Sequence, residues 1–253
     1  MTQAVSERAA RVAELIAGAE RAVVLTGAGV SVPSGIPDFR TPGKGLWERV
    51  DPMDVAHIDA FRRDPDQFWH FYGDRFATLD HKQPNAAHEA IAELERRGLV
   101  RAVITQNIDR LHRKAGSSRI VEVHGSIEWS VCLSCGARVG IERVLELLRS
   151  APGAPRCEGC EQPLKPDVVL FGELLPEAAM SEAFALAGEA DLMLAIGSSL
   201  EVYPVASLPG VTLEAGGRLA LVTQGPTPYD READVKLSGD VVEELEAVLA
   251  ALG

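Results

Sequence analysis

Two cysteine pairs, a glycine-rich turn and one histidine at a strand end contain the residues best able to do chemistry. Cys132-x-x-Cys135 and Cys157-x-x-Cys160 are separated by 21 residues. Two such knuckles bring four thiolates to one tetrahedral ion, a donor set that favours zinc. A closed four-sulfur shell leaves no position for water, so the site reads as structural, one zinc per chain. The stretch TGAGVSVPSGIPDFR, Thr26 to Arg40, offers something different. It follows the apolar run Ala22-Val23-Val24-Leu25, which reads as a buried parallel strand. Gly27 and Gly29 permit a tight turn and a close backbone approach to a ligand, as in dinucleotide-binding sheets. The third glycine of that fingerprint is missing, and Pro33 and Pro37 forbid a long helix directly afterwards.

His124 is the third element. It ends the apolar run Ile120 to Val123 and precedes Gly125, where an imidazole can serve as general base near neutral pH. His57, His70, His81, His88 and His112 read as ordinary surface or core histidines. Asn107 and Asp109, in TQNID, follow another strand; they form an Asx turn or, together with His124, orient an amide and a ribose.

These residues need a scaffold, and the apolar pattern supplies one. Helices are expected over residues 4–18, 86–98, 177–188 and 239–251, by apolar spacing and by the closing glycines Gly18 and Gly98. Buried strands are expected at Ala102–Ile104, Ile120–Val123, Leu192–Ile196, Leu219–Val222 and Val235–Leu237. Alternation of apolar strands with helices implies an α/β protein with a parallel sheet covered on both faces. Gly27, Gln106, His124, Gly197 and Thr223 each follow a strand's carboxyl end, the edge where open parallel sheets bind ligands. Residues 41–81 carry Trp47, Phe61, Phe68, Trp69, Phe71, Tyr72 and Phe76; the segment is a mobile lid or a small helical lobe.

Composition narrows the function. Lys and Arg total 25 against 37 Asp and Glu, a net charge of −12 that argues against nucleic acid and anionic membranes. No apolar run reaches the ~18 residues of a membrane span, and no signal-peptide pattern opens the chain. Cysteines used as metal ligands fit a reducing compartment, so a cytoplasmic location is expected.

In order and spacing, GAGxS, GIPDFR, TQNID, the His-Gly pair, the two Cys-x-x-Cys pairs, KPDVVLFGE and GSSLEVYP resemble the sirtuins. These are NAD-dependent protein lysine deacylases, and the resemblance covers residues 20 to 250. It implies a Rossmann-type, doubly wound parallel sheet with a small lobe made of a zinc ribbon and a helical segment. Residues 1–37, 82–127 and 165–253 would form the NAD-binding domain. Residues 38–81 would form the helical part of the small lobe with the cofactor loop, and 128–164 the zinc-binding insert.

The resemblance also implies roles. Gly27, Ala28, Gly29, Ser31, Asp38, Phe39 and Arg40 would hold phosphates, ribose and nicotinamide of NAD. Gln106, Asn107, Ile108 and Asp109 would line the nicotinamide pocket, while Gly197, Ser198, Ser199, Thr223 and Gln224 would face the adenosine half. Val168, Val169, Leu170 and Phe171, with Glu201, Val202 and Tyr203, would pair with an acyl-lysine peptide as adjacent strands. His124, Asn107 and Asp109 would be catalytic, with nicotinamide and O-acyl-ADP-ribose released alongside free lysine; a monomer is expected. Thr223 departs from the asparagine usual at that position. Tyr72-x-x-Arg75 matches the pair with which one sirtuin class recognises succinyl and malonyl groups, although Asp38 is not that class's residue; the pair equally fits core and surface duty. A mono-ADP-ribosyltransferase would use the same cleft. A non-catalytic NAD or ADP-ribose sensor is disfavoured by the intact Asn107, Asp109 and His124.

Overall fold

The computed structural model describes residues 2–38 and 51–253. Its strands are β1 (Ala22–Thr26), β2 (Ala102–Thr105), β3 (Ile120–Glu122), β4 (Gly125–Cys132), β5 (Arg138–Gly140), β6 (Leu164–Val168), β7 (Leu192–Ile196), β8 (Arg218–Val222) and β9 (Val235–Leu237). Six of them form a parallel sheet in the order β3-β2-β1-β7-β8-β9. The chain builds outward from β1 to β3, then returns to the other side of β1 at β7. That reversal places a topological switch point between β1 and β7, where doubly wound sheets open a crevice at their carboxyl ends.

The helices are α1 (Thr2–Gly18), α2 (Pro52–Val55), α3 (Ile58–Arg63), α4 (Pro65–His81), α5 (Ala86–Arg96), α6 (Leu111–Ala115), α7 (Ile141–Ser150), α8 (Glu177–Glu189), α9 (Leu208–Glu214) and α10 (Val241–Leu252). Alternation along β1 shows how the sheet is covered. Val24 joins Ile16, Ile91 and Leu245 in a core with α1, α5 and α10, while Val23 and Leu25 join Ala183, Leu186 and Leu208 in another with α8 and α9. Buried on both faces, every residue of β1, β2 and β7 is apolar except the threonines that end β1 and β2.

A third core is separate. Phe61, Phe68, Trp69 and Phe76 pack with Ile127, Val144, Leu145, Leu164, Cys132 and Cys157. The aromatic-rich segment, over its described part 51–81, is therefore helical, and its helices share one core with the cysteine-bearing sheet β5-β4-β6. Trp69 closes the joint by donating its Nε1–H to the Leu164 carbonyl at 2.7 Å. Beside a short second sheet, those rings contribute most of the apolar area a small lobe can bury. That sheet runs from Gly125 to Val168, a few residues wider than the 128–164 insert read from the cysteines. The interval between the cysteine pairs, for which the sequence implies no element, holds α7, with Ile141, Val144 and Leu145 buried.

The helices and strands expected from the sequence agree closely with the structure, with the differences at ends, while α6, α9, β4 and β5 lie where no element was expected. The glycine turn leads into a seven-residue 3-10 helix, Ala28–Ser34, that stops at Gly35 in the left-handed conformation (φ 75°). Pro33 sits inside it and, having no N–H to donate, fits a short helix better than a long one.

Gly125 couples the two sheets. Its φ is 75°, and a Cβ there would lie 2.1 Å from the Asp167 carbonyl oxygen of β6. Gly125→Ala is expected to destabilise the protein by more than about 2 kcal/mol, from left-handed strain plus displacement of β6. Urea unfolding checks this, and a midpoint equal to that of the unsubstituted protein would contradict it.

Candidate active site

The five strand ends do converge. Gly27 N–H donates to the Ile196 carbonyl at 3.1 Å and Gly29 N–H to the Gly197 carbonyl at 2.8 Å, stitching the glycine turn to the end of β7. Gly197 N–H in turn bonds the Val222 carbonyl, and Thr223 N–H the Leu237 carbonyl. This revises the expected use of the two glycines. Their amides are taken by protein carbonyls, and their missing Cβ atoms make room for protein backbone. A Cβ on Gly27 would lie 2.8 Å from Ser198 Cβ, and one on Gly29 2.8 Å from Gly197 Cα. Gly197 has φ 62°, and a Cβ there would meet Val30 N at 2.3 Å.

On the other side of β1 the TQNID segment docks. Gln106 donates through Nε2 to Ser198 Oγ at 3.0 Å, and Asn107 through Nδ2 to the Gly27 carbonyl and Ser31 Oγ, both at 3.1 Å. Ser31, 1% exposed, donates its hydroxyl proton to Asp109 Oδ2 at 2.6 Å. Asp109 Oδ1 accepts the Leu111 amide, capping α6. Burial pushes the Asp109 carboxyl upward, against the Ser31 and Leu111 hydrogen bonds that hold it down. Ala28, Ile108 and Ser199 are half-buried around this nest, and Ser198 is buried. Ile127 N–H donates to the Ile108 carbonyl, tying the nest to β4. Thr223 is half-buried and Gln224 exposed at the β8 end; Asp38 is half-buried; Phe39 and Arg40 lie outside the described residues.

His124 is tied to the start of the same TQNID segment. Its Nδ1 is 2.9 Å from the Gln106 carbonyl, which can only accept, so Nδ1 carries the proton and neutral Nε2 keeps a lone pair. Burial lowers its pKa from the usual 6.5, outweighing the upward pull of that carbonyl. The imidazole is thus a free base at neutral pH, held in one tautomer. This is what a general base requires.

Two histidines read as ordinary prove to lie directly beneath the nest. His88, 0% exposed, has Nε2 3.4 Å from Ser31 Oγ; His112, 2% exposed, has Nε2 2.9 Å from Thr26 Oγ1, itself 2.8 Å from Thr105 Oγ1. Their rings meet edge to face at 4.9 Å. Asn85, the cap of α5, reaches across to the Val30 carbonyl and Ser34 Oγ, both at 2.9 Å. The sequence signal was the spacing of His88 three residues after a capping asparagine; its partner on the glycine turn is 57 residues away and carries no local signature.

The expected substrate-lining runs are less strand-like than foreseen. β6 ends at Val168. Val169 N–H donates to the His124 carbonyl at 2.9 Å, and Phe171 exchanges bonds with Ala56 and Ile58. Glu201 to Tyr203 form a turn leading into a 3-10 helix at Val205. Tyr203 is 69% exposed and Phe171 46%, so the two runs present large rings to solvent. Tyr72 is stacked on Phe76 and tilted against Phe68, and burial lifts its pKa to about 12. Arg75 is exposed, with its guanidinium 3.6 Å from the Phe71 ring centroid and a hydrogen bond to the Phe71 carbonyl.

The four cysteine sulfurs lie within 4.8 Å of one another, with nearest pairs 3.4 and 3.6 Å apart. A zinc tetrahedron with Zn–S of about 2.3 Å has sulfurs about 3.8 Å apart, so the cluster fits the ion without rearrangement of the backbone. Cys132 and Cys157 face the small-lobe core, so the ion would tie that core's two knuckles together.

Residues 27–204 match the Sir2 family. The chain belongs to that family. A Sir2-family relative from Pyrobaculum aerophilum, named NAD-dependent protein deacetylase 1, is 46% identical over 95% of this chain and 93% of its own. NAD-dependent protein deacylase 2 of Archaeoglobus fulgidus is 45% identical over 94% of each chain. A solved Sir2 structure with a deacetylated p53 peptide and 3′-O-acetyl-ADP-ribose superposes with a TM-score of 0.90 at 42% identity, covering 95% and 96% of the two chains. Among the described residues, no helix is long and apolar enough to cross a membrane.

Burial holds His88 at a pKa of about 4 and His112 at about 3, against 6.5 for the free side chain. The unfolded chain therefore takes up protons first, and stability present above pH 6.5 is lost as pH falls toward 4 and 3. At ~1.4 kcal/mol per unit the full loss is roughly 3 to 4 kcal/mol for His88 and roughly 5 kcal/mol for His112, partly offset by the raised carboxyl of Asp109 as it protonates. Urea midpoints should decline between pH 6.5 and 4, less steeply in His112→Phe. Parallel declines in the two proteins would contradict this.

Proposed function

We propose that this Sir2-family protein removes acyl groups from protein lysines at the expense of NAD, with His124 as the base. The observation that carries the reading is the fixed tautomer of His124, whose Nδ1 proton is held by the Gln106 carbonyl, in the segment whose Asn107 and Asp109 bond Ser31. NAD would lie over the β1–β7 switch point, its nicotinamide end toward Ser31, Asn107, Ile108 and Asp109. The adenosine half would lie toward Gly197, Ser198, Ser199, Thr223 and Gln224, with Ala28 and Asp38 beside the phosphates and ribose.

The acyl-lysine peptide would enter between Val168–Phe171 and Glu201–Tyr203. Asn107 and Asp109 would hold the carboxamide so that the glycosidic bond twists and nicotinamide leaves as the acyl oxygen attacks the ribose carbon. His124 Nε2 would then take a ribose hydroxyl proton, letting that oxygen attack the acyl carbon. Water completes the balance, and free lysine and O-acyl-ADP-ribose leave. The zinc cluster would stay closed and take no part. Thiolates held this way suit a reducing, cytoplasmic setting, and the chain would act as a monomer.

Two measurements test this. With acetyl-lysine peptide and NAD, the unsubstituted protein should release lysine and O-acetyl-ADP-ribose, and His124→Ala should lower kcat by ~10²–10⁴-fold while still binding NAD. Near-normal turnover by the variant would overturn the assignment; ADP-ribose bound to protein would indicate the transferase chemistry instead. Second, if Arg75 swings from the Phe71 ring into the acyl tunnel, kcat/KM for succinyl-lysine should exceed that for acetyl-lysine. Arg75→Met should then cut only the former, roughly ten- to hundredfold for one charge-assisted bond. Unchanged ratios would leave Tyr72 in the core and Arg75 on the surface.

A further inference from the structure

Lys165 is 4% exposed, although lysine is almost never buried unless paired. Its Nζ donates to the Val168 carbonyl at 2.8 Å and the Pro166 carbonyl at 3.2 Å, and lies 2.8 Å from Glu173 Oε2. An ammonium has three protons, and here all three are used. The same Glu173 oxygen accepts the Leu170 amide at 2.9 Å, and the Glu173 amide returns a bond to the Leu170 carbonyl at 3.0 Å. Both ends of the loop Val168–Glu173 are therefore held by one buried ammonium. Lys165 itself is anchored in β6, paired with Val131 of β4.

We propose that Lys165 is a positioning residue for the peptide substrate, setting with Glu173 the path of the Val168–Phe171 run against which the acyl-lysine peptide docks. The proposal rests on the reading that this run lines the peptide cleft. Its physical case is that a buried ion pair is weak support for stability, since apolar side chains of similar volume do as well or better. What the pair supplies here is geometry. It fixes the Pro166 and Val168 carbonyls at the end of β6 and, through Glu173, the Leu170 amide of the segment that leaves the strand there, bears the exposed ring of Phe171 and bonds the His124 carbonyl through Val169. None of its partners belongs to the glycine turn or to the β7 end, where NAD would sit.

The test separates the two substrates. Steady-state kcat and KM for an acetyl-lysine peptide and for NAD, with melting temperatures, would be measured for the unsubstituted protein, Lys165→Met and Lys165→Met/Glu173→Gln. Lys165→Met should raise the peptide KM about tenfold or more while the NAD KM stays within roughly twofold. The double variant, with no unpaired half-buried carboxylate at Glu173, should regain melting temperature and keep the raised peptide KM. A folded Lys165→Met with an unchanged peptide KM would overturn the proposal, as would an equal rise in both KM values. So would a peptide KM that recovers together with the melting temperature. If the unsubstituted protein consumes neither substrate, the deacylase reading itself falls, and that is seen before any variant is made.

Discussion

The meeting of the glycine turn with the end of β7 is the contact on which the site depends. Backbone lies on backbone there: Gly27 and Gly29 donate to Ile196 and Gly197, and any Cβ on Gly27, Gly29 or Gly197 would stand within 2.8 Å of the facing chain. Because of that closeness, the turn cannot shift without moving the sheet. Ser31 is carried on the same turn, so its hydroxyl inherits the sheet's rigidity and presents Asp109 with a fixed donor. Asn107, bonded to both the Gly27 carbonyl and Ser31, is held by the same contact. The groups proposed to act in catalysis, which need placement within fractions of an ångström, would thus be referred to parallel-sheet backbone rather than to flexible side chains.

Much of this was legible in the sequence. Six buried strands were read from apolar runs, and their carboxyl ends were read as a crevice, because buried parallel strands are continuous in hydrophobicity and need no partner to be recognised. The cysteine knuckles were legible because metal spacing is local. What escaped was non-local. His88 and His112 sit on helix faces like any core histidine, and only folding places them against Ser31 and Thr26. The run Val168–Phe171 looked like a continuation of β6. Its departure from the ladder is enforced by Glu173, which takes the Leu170 amide, and by Ala56 and Ile58, which take Phe171.

The small lobe has a different logic. It has the short α3, the 17-residue α4, a three-stranded sheet and α7, too little for a core without help. Its deficit is made up twice, by a ladder of aromatic rings (Phe61, Phe68, Trp69, Tyr72, Phe76) and by four sulfurs arranged to close one ion. Arg110 and Lys114 then join the end of α4 to the catalytic segment: Arg110 pairs with Asp80 at 2.8 Å, and Lys114 Nζ reaches the Asp80 and Lys82 carbonyls. The residue after Asp109 is thus bonded directly to the lobe.

Electrostatics within the site follow from burial more than from pairing. Asp109 is pushed toward its neutral form and His88, His112 and His124 toward theirs, all by desolvation. With NAD bound as proposed, its cationic nicotinamide ring would meet the buried carboxyl of Asp109. The Ser31 hydroxyl and the Leu111 amide favour its anion from opposite oxygens. Burial disfavours it, so the two influences oppose each other at one carboxyl, and a positive charge brought into the nest would add its weight to the side of the anion.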